Sequence, residues 1–326
     1  MFQKVYALCY SSEVKRSYEP GLVSVCLPVF NGEASLARAL DSLLGQTYPH
    51  IELIISDNAS TDGTEALCNA YSVHDNRVRY IRQEKNITQV PNMELVMNEA
   101  KGEYFLLGAD DDYWHPTFIE KTKKILDTEP DYGVAMTSVQ RIYDDGTQKD
   151  IVSYTGELGL THLSYPEVFD LMTSERPIHL FFYGLIRTSL IHNMLRIPFP
   201  NSKGIDRVFM IEMSLATHFY ALADILFEKT VHRQAVADRS KYKNEAVGKA
   251  YHHSKAHSQY VWAIVKRLLM SRTIPFTRKL WIYPLHMTTF VWRNRVFMRE
   301  WLPRTFKFLL KSKARVRKMF RNTQYV

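Results

Sequence analysis

The stretch Tyr104 to Asp112, YFLLGADDD, decides how the rest of the chain is read. Four apolar residues, Tyr104-Phe105-Leu106-Leu107, are short enough for a buried strand. They run into Gly108-Ala109 and then Asp110, Asp111 and Asp112. In open α/β sheets, ligands sit outside the carboxyl ends of strands. Three adjacent carboxylates in such a place repel one another unless a cation or hydrogen-bond donors compensate. Hard oxygens of this kind suit Mg²⁺ or Mn²⁺, and Mg²⁺ usually takes one or two carboxylates plus substrate phosphates. The local reading is a metal–diphosphate site, with a solvated acidic turn as the alternative.

Working back from the triplet, strands alternate with helices. Leu22-Val23-Ser24-Val25-Cys26-Leu27-Pro28 is an apolar, β-branched run suited to a buried strand. It turns at Val29-Phe30-Asn31-Gly32. Leu36, Leu40, Leu43 and Leu44 then fall at i, i+4, i+7 and i+8, one face of a helix. A second strand spans Ile51 to Ser56. The oxygen-rich segment from Asp57 to Thr64 follows it, with Ser60 or Thr61 as the cap of the next helix. Val78 to Ile81 is a third strand, and Asn92 to Ala100 a helix. Strands and helices joined by short loops indicate a mostly parallel sheet covered by helices. The first turn holds one glycine and no G-x-G-x-x-G, which disfavours a dinucleotide dehydrogenase.

Working forward, a helix runs from Pro116 to Asp127 and a strand from Gly133 to Ser138. The polar stretch to about Thr161 reads as an antiparallel excursion. Leu163 to Ser174 reads as helix, Leu180 to Gly184 as an aromatic segment, Ile205 to Leu222 as helix and Ile225 to His232 as strand. Three scattered cysteines, Cys9, Cys26 and Cys68, form no disulfide framework or metal spacing, which points to a reducing compartment. Met1 to Cys9 lacks the pattern of a signal peptide. No stretch is long and apolar enough for a membrane span.

Four blocks, taken together, resemble family 2 glycosyltransferases, the inverting, metal-dependent enzymes with the GT-A fold. They are VSVCLPVFNGEASLARALDSLLGQTYPHIELIISDNASTDGT, EKNITQVPNMELVMNEAKGEYFLLGADDDYWHP, YGLIRTSL and GIDRVFMIEMSLATHFYALADILFEK. They lie in the family's order, within about Leu22 to Arg233. The resemblance implies a nucleotide-diphospho-sugar transferase fold, Rossmann-like, with a mixed, mostly parallel sheet. It also implies three regions: an extension over 1–20, a catalytic domain over 21–236 and a basic, aromatic helical region over 237–326.

The same resemblance distributes roles. Pro28, Phe30 and Asn31 would contact the nucleotide base at the tip of the first strand. Asp57 would accept hydrogen bonds from base or ribose, and Asn92 would face the donor. Asp112 would ligate Mn²⁺ or Mg²⁺, with Asp110 and Asp111 serving the ribose or metal-bound water. Ala109 stands where the family's first aspartate often sits. Asp206 resembles the catalytic base, with Glu212 as its rival. His115, His179 and Arg187 would face the acceptor, and Tyr183 lies in the same block. The implied reaction moves a sugar from a nucleotide-diphosphate sugar, UDP being the first choice, to a hydroxyl of a glycan or lipid-linked acceptor in surface polysaccharide biosynthesis. The alternative from another class is a non-catalytic nucleotide- or glycan-binding scaffold of a membrane-associated glycan assembly complex.

Charge is divided unevenly along the chain. The net charge is +8, yet Ala250 to Val326 alone carries +16, which leaves −8 on the rest. Aromatic residues such as Trp281 and Trp292 alternate there with arginines and lysines, as in an interfacial amphipathic helix. The expectation is attachment to an anionic membrane, peripheral on the inner face of the cytoplasmic membrane. A helical lid on the catalytic domain is the other reading. Nucleic acid is not expected as a partner, since no recognition motif accompanies the charge.

Overall fold

The computed structural model describes residues 16–153, 178–199, 205–233 and 266–274. The elements, in order, are β1 (Glu19–Val29), α1 (Leu36–Leu44), β2 (Ile51–Asp57), α2 (Thr64–His74), β3 (Val78–Arg82) and α3 (Gln89–Asn98). Then come β4 (Gly102–Leu107), β5 (Tyr113–Trp114), α4 (Phe118–Thr128), β6 (Tyr132–Tyr143) and β7 (Gln148–Val152). A 3₁₀ turn (Ile178–Tyr183) precedes β8 (Leu185–Arg187), α5 (Thr188–Met194), α6 (Ile205–Ala216) and β9 (His218–Val231).

The strands form one mixed sheet in the order β3-β2-β1-β4-β8-β6-β9-β5, with β7 beside β6. β1, β2, β3 and β4 run parallel, as do β6 and β9, while β8, β5 and β7 pair antiparallel with their neighbours. Val23 to Leu27 are buried without alternation, as a strand covered on both faces requires. Leu36, Leu40 and Leu43 of α1 are fully buried, and each contributes roughly 1.5–3 kcal/mol by leaving water.

From β1 the chain moves one way to β2 and β3, then returns to place β4 on the other side of β1. Such a reversal opens a crevice at the carboxyl ends of the two central strands, the usual ligand site of open α/β sheets. Pro28 to Asn31 and Gly108 to Asp112 border it. The three non-glycine residues with left-handed φ among the described residues, Asn31 (53°), Ala59 (61°) and Thr88 (71°), all lie in loops that follow β1, β2 and β3. Strain of this kind clusters at functional sites.

Three expectations need correction. Residues 218–222 are strand and not helix, because α6 ends at Ala216 and His218 to Leu222 pair with Tyr132 to Thr137 of β6. Neither Ser60 nor Thr61 caps α2: the helix begins at Thr64, whose N–H donates to Asp62 Oδ1 at 3.1 Å. The strand predicted over 133–138 extends to Tyr143 and turns into a hairpin with β7. The helix predicted over 163–174 lies outside the described residues, as does most of the basic region.

Candidate active site

Gly32 brings the first strand's tip against the triplet. A Cβ there would lie 2.6 Å from Oδ2 of Asp110 and 2.8 Å from Cγ2 of Val29. The far side of the triplet is fixed by Trp114, buried 5.0 Å from Phe227 of β9, and by Gln46, whose side-chain N–H donates to the carbonyl of His115 at 3.0 Å.

The three aspartates are not equivalent. Asp112 has no exposed surface. Its Oδ2 accepts from Lys229 Nζ at 2.7 Å and its Oδ1 from the Thr230 N–H at 2.9 Å. Burial pushes its carboxyl up to about 6 against the pull of Lys229. Asp111 is partly exposed; Nε2 of His232 sits 2.9 Å from its Oδ2, and Lys229 Nζ lies 3.9 Å from its Oδ1. Asp110 is also half-buried, and burial together with the Asp111 charge raises its carboxyl above the usual range. Burial alone would lower the Lys229 ammonium, but Tyr183, Asp112 and Asp111 together raise it and keep it charged.

Each oxygen of Asp112, the expected metal ligand, accepts one hydrogen bond from β9, so Asp112 anchors that strand beneath the loop while each oxygen keeps a further lone pair. Among the described residues, no three His, Cys, Asp or Glu side chains form a group that could hold a metal alone. An open site does not need one, because a hard divalent ion can take one or two carboxylates and complete its shell with water and phosphate. Asp111 and Asp110, partly exposed at the crevice, fit that donor set.

Asp57 is fully buried at the end of β2. Its Oδ1 accepts from the N–H and hydroxyl of Ser60, at 2.8 and 2.5 Å. Its Oδ2 accepts from the Tyr80 hydroxyl at 2.7 Å and from Arg82 Nη1 at 3.1 Å. A carboxylate offers about four lone-pair sites. A nucleobase reaching Asp57 would displace one of these donors. Phe30 and Asn31 are exposed beside it and Pro28 is half-buried; Oδ1 of Asn31 accepts the Thr61 N–H at 2.8 Å.

Asn92 and Arg187 are structural in this fold. Asn92 is buried, donating to the Ser56 carbonyl at 2.9 Å and accepting from the Ser56 hydroxyl at 2.7 Å, so it clamps α3 to β2. Arg187 pairs with Tyr104 near the start of β4, away from its carboxyl end, and donates to the carbonyls of Tyr132 and Leu126 at 2.9 and 2.6 Å. His115 is exposed, with Nδ1 3.2 Å from the Thr117 hydroxyl. His179 lies in the 3₁₀ turn, and its side chain falls outside the described residues.

Asp206 opens α6 and is half-exposed. The helix packs on the 3₁₀ turn, with the rings of Phe209 and Phe182 at 4.6 Å. Tyr183 follows, its ring 4.5 Å beneath Lys229 Nζ. Burial raises the Tyr183 hydroxyl, the Lys229 charge opposes that, and the charges of Asp112, Asp111 and Asp206 add to it. Glu212 is removed as the rival base: it is buried and ion-paired with Arg267 at 2.7 Å. Lys229, Thr230, His232, Tyr80 and Arg82 were not anticipated. The available signal was a lysine and a histidine closing the apolar run of the last core strand, opposite in charge to the triplet.

The family model described as Glycosyl transferase family 2 matches residues 24–192, and the chain belongs to that family. GlyG, a glycosyltransferase of Streptococcus pneumoniae serotype 4, is 35% identical over 99 residues, covering 30% of this chain and 33% of that protein. TuaG of Bacillus subtilis, provisionally named for teichuronic acid biosynthesis, is 30% identical over 129 residues, covering 40% of this chain and 51% of its own length. The chain thus spans about a third to a half of these relatives. Staphylococcus aureus TarS 1–349, solved in complex with UDP, superposes with a TM-score of 0.56 at 18% identity, over 89% of this chain and 75% of that one. That likeness establishes the GT-A architecture.

Proposed function

We propose that the protein is an inverting glycosyltransferase that moves a sugar from a nucleotide-diphosphate donor to a hydroxyl of a glycan or lipid-linked acceptor in surface polysaccharide assembly. The observation that carries this reading is the crevice at the carboxyl ends of β1 and β4, bordered by the half-buried Asp110 and Asp111, in a chain of this family. The biosynthetic role named for TuaG and the UDP bound to TarS support the substrate class.

In this reading Asp206 is the base: it accepts the proton of the acceptor hydroxyl as that oxygen attacks the anomeric carbon, and a single displacement inverts the centre. Phe30 and Asn31 border the base of the nucleotide. Asp111 and Asp110 would hold Mn²⁺ or Mg²⁺, which when bound neutralises charge on the departing nucleoside diphosphate. Lys229 and Thr230 hold Asp112 and so tether the loop that carries Asp111 to β9. His115, which is exposed, would face the acceptor.

Among the described residues, no helix is long and apolar enough to cross a membrane. We infer that the basic region beyond about residue 237 meets the anionic inner face of the cytoplasmic membrane, where lipid-linked acceptors are presented. Each basic residue near such a surface adds about 1 kcal/mol.

A thermal-shift panel of UDP, GDP, dTDP and CMP, with and without Mn²⁺ or Mg²⁺, tests the reading, because a ligand that binds the native state raises Tm by mass action. One nucleotide should shift the protein only with metal, and Asp111→Asn should abolish that shift. Folded protein that responds to no nucleotide would favour the non-catalytic scaffold.

A further inference from the structure

The segment 266–274 is separated by sequence from α6 but is latched onto it. Arg267 is 3% exposed and Glu212 1% exposed. Nε of Arg267 donates to Glu212 Oε2 at 2.7 Å, Nη2 to the Met194 carbonyl at 2.8 Å, and Nη1 to the Ile197 carbonyl. The guanidinium also lies 3.5 Å from the centre of the Phe199 ring. The other oxygen of Glu212 accepts from the Thr273 hydroxyl at 3.2 Å. Leu268 and Ile274 are buried beside this network.

A buried ion pair is a weak source of stability, because desolvation offsets its attraction. Its strength is geometric, since the rigid guanidinium fork fixes several acceptors at once. Here the fork joins the end of α5, the turn after it, and α6. Phe199 carries the connection onward: its ring stacks 5.8 Å from Phe209, and Phe209 meets Phe182, the neighbour of Tyr183. Phe209 and Glu212 lie three and six residues after Asp206 on the same helix. The first turn of a helix lacks intrahelical partners for its N–H groups, so its placement follows the packed turns behind it.

We propose that Arg267 is a positioning residue: by holding Glu212 and Phe199 it sets the axis of α6 and so the position of Asp206. This rests on the reading of Asp206 as the base. It makes the C-terminal segment part of the catalytic unit and places the attachment of the basic region on the helix that carries the base.

The test uses the full chain with Arg267→Lys and with the neutral pair Glu212→Met/Arg267→Met. Amide hydrogen exchange is read at Phe209–Met213 and, as an internal control, at Val23–Leu27. UDP-dependent thermal shifts and turnover of the donor chosen by the nucleotide panel are read alongside. Arg267→Lys should speed exchange in α6 by about tenfold with β1 unchanged, since a local opening is loosened without a global one. It should lower kcat by about tenfold while the nucleotide affinity stays within about twofold, the signature of a lost transition-state arrangement. The double variant should regain Tm without regaining kcat. A double variant with both Tm and kcat of the wild type would show the pair to be structural only and overturn the proposal. Unaltered α6 exchange in Arg267→Lys would overturn it too. Loosened α6 in a protein that transfers no sugar would uphold the latch and remove the transferase reading instead.

Discussion

The half of the sheet built from β3, β2, β1 and β4 is wholly parallel, whereas β8, β6, β9 and β5 form a mixed half. Each half buries one aspartate at a strand end in full. Asp57 is satisfied by Ser60, Tyr80 and Arg82, all within 25 residues of it. Asp112 is satisfied by Lys229 and Thr230, 117 and 118 residues further on. A buried acid that finds its donors locally stabilises a loop. One that finds them on a distant strand ties the loop between β4 and β5 to β9. Asp110, Asp111 and Asp206 are left half-exposed.

Breaking the long-range tie should have the largest effect on stability. Lys229→Met removes the cation beside the buried Asp112, which must then take up a proton or stay charged without its ion-pair partner, a loss of about 3–5 kcal/mol. Lys229→Met/Asp112→Leu should recover most of it, as measured by denaturant unfolding. Equal losses in the single and double variants would mean that Lys229 matters for some reason other than Asp112.

His192 gives a pH-dependent view of the same seam. It is buried between Tyr18 and the Met97 carbonyl, each 3.1 Å away, and joins α5 to α3. Burial, with the Arg16 charge, lowers it to about 4 from 6.5. The unfolded chain therefore binds the proton first, and this contribution, complete above pH 6.5, is lost as pH falls toward 4. The full effect is about 3 kcal/mol. His192→Phe should flatten the acid limb of the stability curve between those values. A limb as steep as the wild type's would assign the slope to other groups.

Within the local half, Asn92→Ala should cost about 1–3 kcal/mol by leaving Ser56 without its partner. The metal-dependent nucleotide shift should persist. Its disappearance, in protein that remains folded, would return Asn92 to the donor site.

Legibility followed the same division. Leu22 to Leu27, the α1 leucines and the triplet were readable because each element is specified by its own residues and turns. Lys229 and His232 were not, because nothing local says that β9 will pass beneath the loop after β4. Residues 218–222 misled because a short aromatic and apolar run suits helix or strand, and pairing with β6 decides it. Asn92 and Arg187 were placed near the donor and acceptor by block position. Their hydrogen bonds to Ser56, Tyr132 and Leu126 show side chains turned to the scaffold. Glu212 and Asp206 were rivals on one helix until Arg267, from beyond the matched blocks, claimed one of them.

The most direct measurement is Asp206→Asn assayed for sugar transfer and nucleotide binding in the same preparation. Loss of a general base costs about 100- to 10,000-fold in rate. The expected result is a turnover lowered by about that factor, with metal-dependent nucleotide binding close to the wild type's. Turnover equal to the wild type's would contradict the account and remove Asp206 from the reaction.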